Sequence, residues 1–149
     1  MKIALVSFRN DSSCPPLGLV QLGTFLQNKG HKVDILDHNY CERFYYFRYD
    51  IIGMSAMTKD YGKAIKTAQL IKNISKKHPI FIGGVHISTL PESIHPIFNI
   101  GIKGEGEQAF LDALSIPHLE NLSGIILPSK PVSNLDELPY PNWDLVDKR

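Results

Sequence analysis

Short runs that are apolar almost from end to end recur along this chain, and segments of helical periodicity separate them. Lys2 to Phe8 (KIALVSF), Asp50 to Met57 (DIIGMSAM) and Pro79 to Gly83 (PIFIG) are three such runs. A strand that is apolar on both faces belongs in the interior of a parallel sheet, where helices cover both sides. Leu17 to Lys29 supplies one of those helices. Leu19, Leu22 and Leu26 form its stripe, Val20 and Phe25 widen it, and Pro15-Pro16 precede it where a first helical turn tolerates proline. Gly30 is placed for the left-handed residue that ends such a helix. Lys32 to Asp37 reads as a second strand with Val33, Ile35 and partly Leu36 inward. Asp60 is placed to cap a helix on which Tyr61, Ala64, Ile65, Ala68, Ile71 and Ile74 share a face, with the lysines mostly outside it.

Further along, the spacing predicts a short helix near Pro91 to Phe98 and a fifth strand at Asn99 to Lys103. A helix carrying Phe110, Leu111 and Leu114 follows Gly104-Glu105-Gly106, and Gly124 to Leu127 can add an edge strand. His38 to Tyr49 has no clear period and reads as a loop or short helix. Strands alternating with helices predict an α/β protein: a three-layer αβα, Rossmann-like doubly wound parallel sheet. The expected strand order is 2-1-3-4-5, the flavodoxin-like order, with the switch point between strands one and three. Right-handed crossovers bring every strand-to-helix loop to one edge of the sheet, where ligands of such folds bind. The loops of interest are therefore Phe8 to Pro16, Ser55 to Asp60, Gly83 to Thr89 and Gly104 to Glu107.

Length and charge narrow the function classes. A domain of 149 residues can hide roughly 68–70% of its unfolded surface, so a core is possible without staples. Lys plus Arg number 16 against 15 Asp plus Glu, a balance with no electrostatic footprint for nucleic acid. Ile51 to Met57 is far short of the ~18–20 residues of a membrane span, and Ile3 to Phe8 is too short for a signal-peptide core. Cys14 and Cys41 are too few for a disulfide framework or a cysteine-built metal site. The expectation is a cytoplasmic protein with reduced thiols, with no membrane or nucleic-acid partner.

What the loops carry is suggestive. Gly104-Glu105-Gly106-Glu107-Gln108-Ala109 fits the GxGxxA form of the dinucleotide fingerprint, but it lies in the last unit rather than the first βα turn. Its two carboxylates would also repel a pyrophosphate. A phosphoreceiver would need Asp where Ser55 stands, and Cys14-Pro15-Pro16 removes donors that a flavin-phosphate loop requires. Gly83-Gly84 ends strand four, where paired glycines let a ligand approach the backbone. Ser55 and Thr58 offer hydroxyls on the adjacent loop. Hydroxyls after strand three and glycines after strands four and five would line an apolar slot fit for a bulky ligand tail.

DIIGMSAMT, FIGGVHISTLPE, KGEGEQAF and LDELPYPNWDL, in that order, resemble the amino-terminal cobalamin (vitamin B12)-binding domain of cobalamin-dependent radical SAM enzymes. The opening PPLGLVQLGTFLQNKGHKVDILD fits the same family, so the resemblance runs from Met1 to about Asp147. It implies cobalamin bound base-off, its dimethylbenzimidazole tail threaded into the domain and its corrin resting on the sheet edge. The Ser55–Met57–Thr58 segment would bind the cofactor, with Ser55 bonding the buried base and Thr58 lining the tail pocket. Gly83 and Gly84 would let the nucleotide tail pass strand four. Val85, His86 and the Gly104, Glu105, Gly106, Glu107 loop would complete the slot and its mouth.

Two departures qualify the resemblance. Counted from Asp11, the cobalt-ligating His of the DxHxxG motif is Ser13 and its Gly is Pro16, so no protein histidine is expected on cobalt. His86 follows the wrong strand to replace it. The CxxxCxxC triplet that holds the family's iron–sulfur cluster in a following barrel is also absent. The expected organisation is a cobalamin-binding domain over residues 1–127 and a proline-rich linker over 128–149, leading to a radical SAM domain in a longer parent. The cluster and S-adenosylmethionine would belong to that domain, and this chain alone would not catalyse. The parent reaction would be methyl transfer or related radical chemistry. The alternatives are a Rossmann-like binding or sensing domain without cobalamin, and a small nucleotide- or flavin-binding protein. In the cobalamin reading, Gly84→Val is expected to block uptake while barely changing the fold.

Overall fold

The computed structural model describes residues 1–8, 15–38 and 43–146. β1 (Lys2–Ser7) is an interior strand, and its Ile3 to Val6 are fully buried. Side chains alternate across a strand, so Ile3 and Leu5 enter one core while Ala4 and Val6 enter the other. β2 (Lys32–Asp37) pairs with one side of β1 and β3 (Ile51–Ser55) with the other, both parallel. β4 (Ile80–Gly83), β5 (Ile100–Lys103) and β6 (Ile125–Pro128) continue the sheet, again parallel. The order is β2-β1-β3-β4-β5-β6. The expected 2-1-3-4-5 order is therefore present, and the strand read at Gly124 to Leu127 lies parallel at the edge.

Helices cover both faces. α1 (Leu17–Asn28) and α4 (Glu107–Leu114) pack Leu19, Leu22, Leu26, Phe110 and Ala113 on the Ile3–Leu5 side. α2 (Tyr61–Ile74) and α3 (Val85–Thr89) put Tyr61, Ala64, Ala68, Ile71 and Ile87 on the Ala4–Val6 side. Each fully buried aliphatic side chain contributes about 1.5–3 kcal/mol by leaving water. That gain explains why the nearly all-apolar β1, β3 and β4 occupy interior positions. β2, with exposed Lys32 and Asp34, and β6, exposed at both ends, occupy the edges. Pro128 and the shortness of β6 blunt its open edge. Among the described residues no helix is long and apolar enough to cross a membrane.

Asn99 ties the sheet's amino edge together. Its buried Oδ1 accepts from the Ile80 N–H at 2.8 Å and from Lys72 Nζ at 3.0 Å. Its Nδ2 donates to the carbonyls of Leu119 and Leu122.

Three local expectations change. The helix expected near Pro91 to Phe98 is instead α3, beginning at Val85, followed by a 3-10 turn at Pro91–Ser93. Proline disfavours helical backbone in the residue before it and so ends the run at Leu90. Asp60 does not cap α2; its backbone is already helical, and its buried carboxylate pairs with Lys63 Nζ at 3.3 Å. The proline-rich segment folds back across α1. Gln21 Nε2 donates to the Pro139 carbonyl, the Asn142 N–H donates to Thr24 Oγ1, and Leu145 lies against Gly23.

Candidate functional site

The switch between β1 and β3 and the short β4 and β5 leave a cavity of about 250 Å³ at the carboxyl edge of the sheet, on the α1–α4 side. Its walls are apolar: Leu5 and Phe81 from the sheet, Leu19 and Leu22 from α1, Ile102 from β5 and Phe110 from α4. An apolar slot with a few polar groups at its rim is the usual form of a small-molecule site.

The glycines make the space. A Cβ at Gly53 would stand 2.8 Å from Phe110 Cε2 and 2.9 Å from Leu5 Cδ2, so only glycine lets the Phe110 ring approach β3. At Gly83 a Cβ would meet nothing closer than the Ile102 carbonyl oxygen at 3.7 Å, so that position faces room. Gly84 differs from its neighbour. Its φ of 95° and ψ of −174° lie in a region that essentially only glycine occupies. A Cβ there would sit 2.8 Å from Ser55 Oγ and 2.9 Å from both N and O of Ala56. The loops after β3 and β4 are thus pressed backbone to backbone, and Gly84→Val would disrupt the fold itself. The expectation that it spares the fold is corrected.

The last rim element is the turn before α4. Gly104 has φ 93° and donates its N–H to Ser88 Oγ at 3.0 Å. Glu105 Oε2 accepts the Val132 N–H at 2.6 Å, which fastens the segment after β6 over this turn.

The predicted site residues divide in two. Ser55, Gly83, Gly84, Gly104, Glu105, Gly106 and Glu107 line the cavity together. Met57, Thr58, Val85 and His86 lie at the same sheet edge but outside the cavity lining. Met57 and Val85 are 51% and 62% exposed, and Thr58 is exposed beside them. His86 is buried against Tyr61, with ring centroids 4.0 Å apart, and its two nitrogens contact Thr58 Oγ1 at 3.2 Å and Ser93 Oγ at 3.0 Å. The Tyr61 hydroxyl donates to the Ser93 carbonyl and accepts from the His95 N–H, and burial pushes its ionisation up. Asp11, Ser12, Ser13, Cys14 and Cys41 lie outside the described residues. Among the described residues no cluster of three His, Cys, Asp or Glu side chains is arranged to hold a metal. Gly53 and the aliphatic walls were not among the expected site residues. An isolated glycine inside an apolar strand was the available signal, since it marks close approach of another group.

The family model described as the B12 binding domain matches residues 1–114. An uncharacterized methyltransferase of Pyrococcus horikoshii is 30% identical over 157 residues, covering 89% of this chain and 34% of its own length. The radical S-adenosylmethionine methyltransferase TsrM of Kitasatospora setae, solved with cobalamin and a [4Fe-4S] cluster bound, superposes with a TM-score of 0.59 at 19% identity, over 74% of this chain and 23% of that one. The amino-terminal domain of the hypothetical protein TM0182 of Thermotoga maritima superposes at 0.52 with 15% identity, over 83% of this chain and all of that one. The chain thus spans about a third of the curated relative and about a quarter of TsrM. The order of strands, the glycine-lined slot and a family match over most of its length agree: this chain belongs to the B12-binding domain family.

Proposed function

We propose that the chain is the cobalamin-binding module of a radical SAM methyltransferase, and that it holds cobalamin base-off with the nucleotide tail in the cavity beside Gly83. The observation that carries this reading is the slot itself. It is apolar, it opens at the carboxyl edge, and glycines at 53 and 83 keep side chains out of it. Those features suit a flat aromatic base on a long tether. Ser55 at the rim supplies a hydroxyl for a ring nitrogen, and Gly83 and Gly84 give the tether backbone contact. Met57, Thr58, Val85 and the Gly104 to Glu107 turn offer the surrounding surface to the corrin. Cobalamin, when bound, supplies the cobalt chemistry for carrying a methyl group; the residues here bind and orient it.

Residues 1–127 form this module in our reading, and 128–149 lead towards a radical SAM domain that holds the iron–sulfur cluster and S-adenosylmethionine. The methyltransferase relatives, which are about three times longer or more, support that organisation. The setting is cytoplasmic. A nucleotide or flavin phosphate fits less well, because Glu105 and Glu107 stand at the rim.

Incubation with hydroxocobalamin, desalting and an absorption spectrum test the reading. Retained corrin absorption at one equivalent is expected, and its loss in Gly83→Val, which fills the slot without backbone strain. No retained corrin, or equal retention by Gly83→Val, contradicts it.

A further inference from the structure

His86 lies outside the cavity lining, yet both of its ring nitrogens are engaged. The proton positions follow from Ser93. A serine hydroxyl has one proton, and Ser93 directs it to the Leu90 carbonyl at 2.7 Å. Ser93 Oγ therefore accepts from His86 Nε2–H at 3.0 Å. With its proton on Nε2, the imidazole presents a lone pair at Nδ1, and the Thr58 hydroxyl, 3.2 Å away, donates to it. Stacking on Tyr61, whose own hydroxyl is held by Ser93 and His95, fixes the ring plane. The His86 N–H also donates to the Ala56 carbonyl at 3.3 Å, which ties the two loops together at the backbone.

The consequence is chemical. The one proton of Thr58 points inward to His86, so the exposed Thr58 oxygen offers only lone pairs at the sheet edge. We propose that His86 is a positioning residue that sets the hydrogen-bond polarity of Thr58, making it an acceptor for an amide N–H on the rim of a bound corrin. The ligand half rests on the cobalamin reading; the His86 half does not. A corrin carries primary amides around its periphery, and an acceptor selects an amide over the corresponding carboxylate, which has no proton to give at neutral pH.

Two measurements test this. Nitrogen-15 NMR of the histidine rings in the free protein should find His86 as the Nε2–H tautomer; an Nδ1–H tautomer overturns the proposal whatever the protein binds. Affinity is then compared for hydroxocobalamin and for derivatives in which one peripheral amide is hydrolysed to a carboxylate. The unaltered chain should bind one derivative about three- to tenfold more weakly, the scale of one hydrogen bond. Thr58→Val and His86→Phe should lose that preference. His86→Asn, whose amide oxygen can stand in for Nδ1, should keep it. Preference retained in Thr58→Val, or lost equally in His86→Asn and His86→Phe, overturns the assignment. If hydroxocobalamin is not bound at all, the ligand half falls with the cobalamin reading, and the tautomer decides the His86 half.

Discussion

Gly83 and Gly84 are adjacent and both line the cavity, yet alanine should affect them very differently. At Gly84 the backbone conformation alone costs a residue with a Cβ about 1–3 kcal/mol. The added carbon would also lie 2.8–2.9 Å from Ser55 Oγ and the Ala56 backbone. Main-chain atoms cannot swing aside, so overpacking adds about 1–3 kcal/mol. The sum, about 2–6 kcal/mol, is a large part of the 5–15 kcal/mol typical of a whole domain. At Gly83 the nearest atom is 3.7 Å away, and Gly83→Ala should stay within about 1 kcal/mol of the unaltered chain, with a small gain from reduced unfolded-state freedom. Urea unfolding separates the two. With slopes of about 1–3 kcal/mol per molar, the Gly84→Ala midpoint should fall by roughly 1–2 M or more while that of Gly83→Ala barely moves. Equal shifts, or a Gly84→Ala loss below about 1 kcal/mol, would refute the reasoning from backbone geometry.

Gly53→Val should cost about 1–3 kcal/mol by overpacking and reduce hydroxocobalamin uptake, because Phe110 must move towards the slot; a calorimetric titration showing unchanged affinity would count against Phe110 as a wall. Asn99→Ala leaves the Ile80 N–H and the Leu119 and Leu122 carbonyls without their partner, so a loss of about 3 kcal/mol or more is expected in urea unfolding, and a loss under about 1 kcal/mol would show that the staple carries little. His31, His38 and His78 all have ring pKa values lowered, in each case chiefly by burial. The unfolded chain then binds more protons below its ordinary value of 6.5, so these groups cost no stability above that pH and weaken the fold as pH falls below it. Urea midpoints at pH 7.5 and 5.5 check the sign, and a higher midpoint at the lower pH would contradict it.

Periodicity made the strands, α1 and α2 legible, because burial on one face or both leaves a pattern in the chain itself. The order of strands followed from handedness and the switch point rather than from any residue. The start of α3 is set by Gly84, whose unusual backbone is required by contact with Ser55 and Ala56, 29 and 28 residues earlier in the chain. The same contact explains why a glycine pair read as a ligand passage turned out to be two glycines with different duties. His86 looked like a possible rim residue, and its partners Tyr61 and Ser93 come from other elements, so the sequence could not disclose that both its nitrogens are engaged. Nor could composition show that Pro139 and Asn142 bond to α1, since those contacts join residues 118 apart.

The most direct test of the cobalamin account is electron paramagnetic resonance of the chain loaded with cob(II)alamin. A tail buried in the slot removes the benzimidazole nitrogen from cobalt, and His86, held by Thr58 and Ser93, has no free nitrogen to replace it. The account predicts a cobalt signal without nitrogen superhyperfine splitting. Splitting from an axial nitrogen, or a spectrum identical to that of free cob(II)alamin with its base on cobalt, would contradict it.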